Sequence, residues 1–212
     1  MRIGSDYVEV KLHKTQKYLD WLKTKLFLDK NSITATKRKI ERGQVYWCNF
    51  GMNIGSEMSK ETPRPCLIIQ NDLANLKSPN TIVVPITHNK SMVSCLVHIE
   101  ELQDEDNNII LDGKINVSNV VCVSKARLGD YIATLSNKEI KSVDESMARQ
   151  IGLYEYYNKI LLNLNDKVNY LKKVKQQRNY AEDTLLNIKN KLGITKDVDI
   201  IGNIDKLLDN QR

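Results

Sequence analysis

The stretch Arg64-Pro65-Cys66-Leu67-Ile68-Ile69-Gln70-Asn71-Asp72, followed after Ser78-Pro79-Asn80 by Thr81-Ile82-Val83-Val84-Pro85-Ile86-Thr87, decides the fold. Each half is a short aliphatic and β-branched run closed by turn-forming residues, the pattern of a buried strand. Working outward, QVYWCNF (44–50) precedes the pair. SCLVHIE (94–100), NIIL (108–111), VVCVSK (120–125) and DYIATL (130–135) follow it, with Gly, Pro, Asn, Asp and Ser between them. No helical period separates consecutive runs, which argues against parallel βαβ units. Several short strands with turn signals predict a strongly curved sheet or small barrel.

The flanks are of another kind. Val8, Leu12, Thr15, Leu19, Leu22 and Leu26 recur in alternating steps of four and three, which predicts a helix with a coiled-coil-like seam. The run Asn31 to Thr36 then breaks the pattern and reads as a linker. Beyond the strands, Ser136-Asn-Lys-Glu139 and Ser142-Val-Asp-Glu145 both match the S-x-x-E capping box. A helix is expected from about 143 to 192, with Tyr157, Leu164, Leu171, Leu185 and Leu192 on one seven-residue grid and Gly193 as its stop. Leu161 and Val168 interleave with that grid. The seam then slips one position at Val174, and Arg178 interrupts it. A short last helix is expected from about 197. The chain thus divides into a basic helix and linker (1–40), a β-rich domain (41–158) and a coiled-coil-like helical extension (159–212), α+β overall. The two leucine seams are expected to bury each other, within one chain or across a dimer.

Charge follows the same division. Residues 1–40 carry 10 Lys and Arg against 4 Asp and Glu (+6), residues 41–158 carry 11 against 15 (−4), and residues 159–212 carry 11 against 7 (+4). The basic flanks suit attraction to nucleic acid, or equally the solvated faces of lysine-rich helices, and charge alone favours the second. The four cysteines, Cys48, Cys66, Cys95 and Cys122, form no C-x-x-C pair and sit in or beside apolar runs, which predicts buried free thiols in a reducing cytoplasm. No apolar run approaches a membrane span, and residues 1–14 have no secretion-signal pattern.

The central pattern resembles a known family. Arg42-Gly43-Gln44-Val45-Tyr46-Trp47, Gly55-Ser56-Glu57, the RPCLIIQND stretch, Ser78-Pro79-Asn80-Thr81-Ile82-Val83 and the strand ending Ile86-Thr87 are similar, in order and spacing, to the MazF/PemK toxins. Val97-His98-Ile99-Glu100 and Ala126-Arg127-Leu128-Gly129-Asp130 extend the likeness, which covers roughly 41–158. It implies an SH3-like small barrel of the MazF/CcdB type, usually a homodimer, with an antitoxin partner and single-stranded mRNA as substrate. It also implies cytoplasmic action that arrests translation and growth.

The resemblance further implies that Arg64 and Thr87 are catalytic. The chemistry is attack of an RNA 2′-hydroxyl on its own phosphate, leaving 2′,3′-cyclic phosphate and 5′-hydroxyl ends. The substrate brings the nucleophile, so the protein needs only to align the attack and hold the developing charge. A guanidinium suits that task, since it clamps two phosphate oxygens at once. Glu57 and His88 are candidates for moving the proton, and Ser56, Ser124 and Lys125 for touching RNA. His88 follows Thr87 directly, so it reaches the same face only if the strand has ended. His98 is expected to make a structural hydrogen bond. No metal-ligand spacing and no phosphate-binding glycine loop occur, so no cofactor is expected.

Two departures from the pattern matter. The loop from Glu57 to Arg64 carries charges where glycines are common, and the PemK-branch arginine and aspartate are replaced by Cys122 and Ser124. A catalytically inactive RNA-binding or regulatory protein on the same fold therefore stays open. A gyrase inhibitor is disfavoured, because the tryptophans are Trp21 and Trp47 rather than near the C-terminus.

Overall fold

In the computed structural model the described residues are 2–3, 6–7, 11–55, 57–58, 60, 62–193 and 200–209. They form two compact units, Met1–Tyr154 and Glu155–Arg212. The first unit contains β1 (Arg2–Ile3), β2 (Asp6–Tyr7), α1 (Leu12–Lys30), α2 (Ser32–Ala35), β3 (Gln44–Cys48), β4 (Arg64–Ile68), α3 (Asp72–Lys77) and β5 (Asn80–Thr87). It continues with β6 (Leu96–His98), β7 (Leu102–Gln103), β8 (Ile109–Leu111), β9 (Lys114–Asn116), β10 (Val121–Ser124), a 3-10 turn (Lys125–Arg127), β11 (Leu128–Thr134) and α4 (Asn137–Gln150). The second unit holds α5 (Tyr154–Lys191, its first residue shared with the first unit) and α6 (Ile200–Asp209).

Seven strands make one antiparallel sheet in the order β11-β3-β4-β5-β9-β6, with β10 also on β5. The alternation read from the sequence sets its two faces. Val45, Leu67, Val84, Ile86 and Ile115 point to a core closed by Leu135 and by Val143 of α4. Tyr46, Cys48, Cys66, Ile68 and Val83 point to a second core with Ile40, Phe50, Met58, Val123 and Leu128. Pro85 lacks a backbone donor, and it falls in the gap between the residues of β5 that pair with β10 (80–83) and those that pair with β9 (86–87).

All seven expected β runs form strands. The structure adds β9, which the polar sequence Lys114-Ile115-Asn116 conceals, and α3, capped by the Asn71 side chain accepting from the Ala74 amide. The segment after Asn31 is tied down rather than loose. Arg38 donates to the Leu128 and Gly129 carbonyls, and Arg42 to the Ile69 carbonyl and Asp144.

The helices depart from expectation in two ways. Of the two capping boxes only Ser136/Glu139 forms, so α4 begins at Asn137, and Ser142 sits inside it bonding the Lys138 carbonyl. The single helix of 143–192 is interrupted at 151–153, where Gly152 takes a φ of +75°. In α1 the leucines of the seam, Leu12, Leu19, Leu22 and Leu26, are exposed, and Trp21 is the buried residue. Val8 and the expected start of the last helix at 197 lie outside the described residues, whose last helix is Ile200–Asp209. None of α5 is buried, and Gly193 with φ +68° follows its end as anticipated. The expectation of four buried thiols holds for two: Cys48 and Cys66 are buried, Cys95 is intermediate and Cys122 is exposed, because its position in β10 faces outward. Among the described residues no helix is long and apolar enough to cross a membrane.

Candidate active site

Arg64 opens β4 and Thr87 closes β5. These strands pair antiparallel as far as Cys66 opposite Pro85, so Arg64 and Thr87 lie two residues beyond that pair, at the same end of the two strands. Directly opposed residues of an antiparallel pair project from the same face. That face is the one bearing Cys66, Ile68 and Val83, and both side chains stand at its end, half-buried. Among the described residues no hydrogen bond or ion pair engages the Arg64 guanidinium.

The row continues. Thr87 pairs with Lys114 of β9, and Lys114 with His98 of β6. Thr87, Lys114 and His98 are therefore opposed in register on three adjacent strands and share one face, with Arg64 at the same end of the next strand. Lys114 Nζ donates to the Ser91 carbonyl at 2.8 Å, which holds the loop between β5 and β6 beside Thr87. Sequence reasoning missed Lys114 because it missed β9. It assigned His98 a structural bond, yet the side chain is exposed and no bond to it is found among the described residues.

His88 does not join the row. Beyond Thr87 the alternation carries it to the opposite face, where its ring lies over Gly113 and Nε2 meets Asp112 Oδ1 at 2.7 Å. Gly113, at φ +108°, permits this turn: a Cβ there would come within 2.9 Å of the Thr87 carbonyl oxygen.

A cleft of about 620 Å³ gathers two other expected residues, Glu57 and Ser124, with Phe50, Met58, Asn119 and Arg127. Glu57 is exposed, its amide donating to the Ile54 carbonyl and its carboxylate accepting from the Ile54 amide. Ser124 Oγ caps the 3-10 turn through the Ala126 amide. Ser56 lies outside the described residues. Lys125 is placed where it cannot touch RNA. It is 1% exposed, and its amine donates to the Asn75 carbonyl at 2.5 Å. Burial without a carboxylate partner lowers its pKa from the ordinary lysine value. Beneath the Arg64 row, a hydrogen bond with Cys48 and burial push the Cys66 thiol well up, so it is a neutral core group rather than a nucleophile. Among the described residues no three His, Cys, Asp or Glu side chains converge as metal ligands.

At one end of the sheet the chain thus sets the Arg64 guanidinium, the Thr87 hydroxyl and the Lys114 amine on neighbouring strands, groups that are chemically suited to bind an anion. Residues 41–151 match the family described as PemK-like, MazF-like toxin of type II toxin-antitoxin system. The chain is 30% identical to Endoribonuclease EndoA of Bacillus subtilis (strain 168) over 117 residues, which are 55% of this chain and 98% of that protein. Among solved structures it is similar to MazF (Form-I) from Deinococcus radiodurans, with a TM-score of 0.47 and 16% identity over 54% of this chain and 98% of that one. A second is an endoribonuclease in complex with its cognate antitoxin from Mycobacterial species, with a TM-score of 0.45 and 24% identity over 54% and 96%. The chain belongs to the PemK/MazF toxin family, with added helices on both sides of the family domain.

Proposed function

We propose that this chain is the toxin of a type II toxin–antitoxin pair and a sequence-specific endoribonuclease that cuts single-stranded mRNA without a metal ion. What supports the reading is the family match over residues 41–151, with Arg64 at the start of β4 and Thr87 at the end of its antiparallel partner β5. Arg64 clamps two non-bridging oxygens of the scissile phosphate, and Thr87 donates its hydroxyl to the same group. Held in line, the 2′-oxygen forms a bond to phosphorus as the bond to the 5′-oxygen breaks. The 2′-hydroxyl proton passes to a base, the role we assign to Glu57 in the loop that precedes Arg64, and the departing 5′-oxygen takes a proton from solvent. The products are a 2′,3′-cyclic phosphate and a 5′-hydroxyl. Catalysis rests on stabilising the extra negative charge at phosphorus, the part assigned to the guanidinium.

As a member of a toxin–antitoxin family the chain is expected to act as a homodimer in the cytoplasm, to be silenced by a cognate antitoxin, and to arrest growth by destroying mRNA. Purified protein incubated with a long mixed-sequence RNA in excess EDTA tests the chemistry. Cuts at a recurring short sequence with 5′-hydroxyl ends are expected. Activity that disappears with chelator and returns with magnesium refutes the metal-free scheme, and intact RNA throughout supports the inactive RNA-binding alternative.

A further inference from the structure

Helix α1 lies outside the family-matched residues, yet its one buried side chain rests on the backbone that leads into the active-site loop. Gly51 has a φ of +85°, and a Cβ built on it would overlap the Cε2 and Cζ2 atoms of Trp21, so the indole lies against a bare glycine. On another side the Arg127 guanidinium sits 5.3 Å from the Trp21 ring, in cation–π range. Arg127 Nη1 donates to the Asn49 and Phe50 carbonyls at 2.9 Å each, and the Asn49 amide donates back to the Arg127 carbonyl at 2.9 Å. Indole, guanidinium and the 49–51 backbone thus form one stacked block.

That block is the root of the Glu57 loop. Gly51 bridges Lys60, closing the loop on itself. Inside it, Asn53 donates to the Met58 carbonyl and Glu57 exchanges bonds with Ile54. Arg127 has a double position: it lines the cleft with Glu57 and Ser124, and also the small hollow that holds Trp21 and Lys25. The indole therefore packs on Gly51 and on Arg127, and Arg127 borders the cleft that Glu57 also lines.

We infer that Trp21 is a positioning residue for RNA cleavage, acting through Gly51 and Arg127 to hold the loop that carries Glu57. The N-terminal helix is then a working part of the nuclease rather than an appendage. The inference rests on the endoribonuclease reading of the site, with Glu57 as its base.

The test uses the full chain, cutting an RNA oligomer that contains the mapped cleavage sequence, in EDTA. Trp21→Ala is expected to lower kcat by roughly 10- to 100-fold, the scale of a small misplacement of catalytic groups, with KM changed much less. Trp21→Phe, which keeps an aromatic face against Gly51, should recover most of the loss. Wild-type kcat in Trp21→Ala overturns the inference and leaves the nuclease reading intact. A wild-type chain that cuts nothing refutes that reading instead. Should Trp21→Ala fail to fold, Trp21 emission in a Trp47→Phe chain decides. Titration with an oligomer carrying a 2′-deoxy sugar at the cleaved position should change that emission and saturate, and unchanged emission overturns the inference.

Discussion

Replacing Lys114 with methionine keeps the apolar stem of the side chain and removes its charge. Lys114 pairs in register with Thr87, so its amine stands one strand beyond the hydroxyl that we propose contacts the scissile phosphate, and it is expected to meet a neighbouring phosphate of the same RNA strand. Removing one cation from a backbone phosphate lowers the salt dependence of single-strand binding by about 0.7 in the slope of log K against log salt. Between about 50 and about 200 mM salt, a fourfold rise, the unmodified chain should therefore lose roughly 2.6 times more affinity than Lys114→Met. Lys114→Arg retains the charge and should restore the slope. Anisotropy of a labelled oligomer blocked by a 2′-deoxy sugar at the cut position measures it without turnover. The Lys114 amine is remote from the bond that breaks, so its removal should raise KM more than it lowers kcat. Identical slopes for Lys114→Met and the unmodified chain refute the reasoning and return Lys114 to its structural bond with Ser91.

Lys125→Met should leave that salt slope unchanged, because the Lys125 amine is buried against the Asn75 carbonyl; a reduced slope in the same anisotropy titration contradicts the placement. Ser136→Ala removes the cap of α4 and should cost about 1 kcal/mol in urea unfolding at neutral pH. Burial by itself raises the Glu139 carboxyl, but the hydroxyl and amide of Ser136 and the Glu100 amide outweigh it and hold it below its ordinary value. A depressed carboxylate stabilises the fold above its unfolded pKa of about 4.3, and that stabilisation is lost as pH falls through the lower folded value. The gap between Ser136→Ala and the unmodified chain should accordingly narrow on acidification. A constant gap from pH 7 to 3 would mean that Glu139 is not held by Ser136.

The strands were legible because burial imposes a period on them. Leu67, Val84 and Ile86 face one core and Cys66, Ile68 and Val83 the other, so two-sided burial appears as an unbroken apolar run. Strand β9 was not legible. Lys114 and Asn116 flank the one buried residue Ile115, and such a segment becomes a strand only because β5 and β6 pair with it on either side. Arg64 and Thr87 were proposed from motif order alone, and the antiparallel pairing of β4 with β5 sets them at the same end of neighbouring strands. The role of Trp21 is invisible to seam counting, since the residue lies off the leucine stripe and its partner Gly51 carries no side chain. The break at Gly152 was missed because an apolar period continues on both sides of it. A single left-handed residue is enough to end one helix and start another.

The central claim is that Arg64 supplies the charge stabilisation for cutting RNA. The most direct measurement is the single-turnover cleavage rate of the mapped oligomer by Arg64→Ala in EDTA, with circular dichroism and oligomeric state checked against the unmodified chain. Loss of a guanidinium from the transition state should slow cutting by about 10²–10³-fold or more while the fold is kept. A correctly folded Arg64→Ala that still cuts at the unmodified rate, with the same 5′-hydroxyl ends, would contradict the account and move the active site elsewhere on the protein.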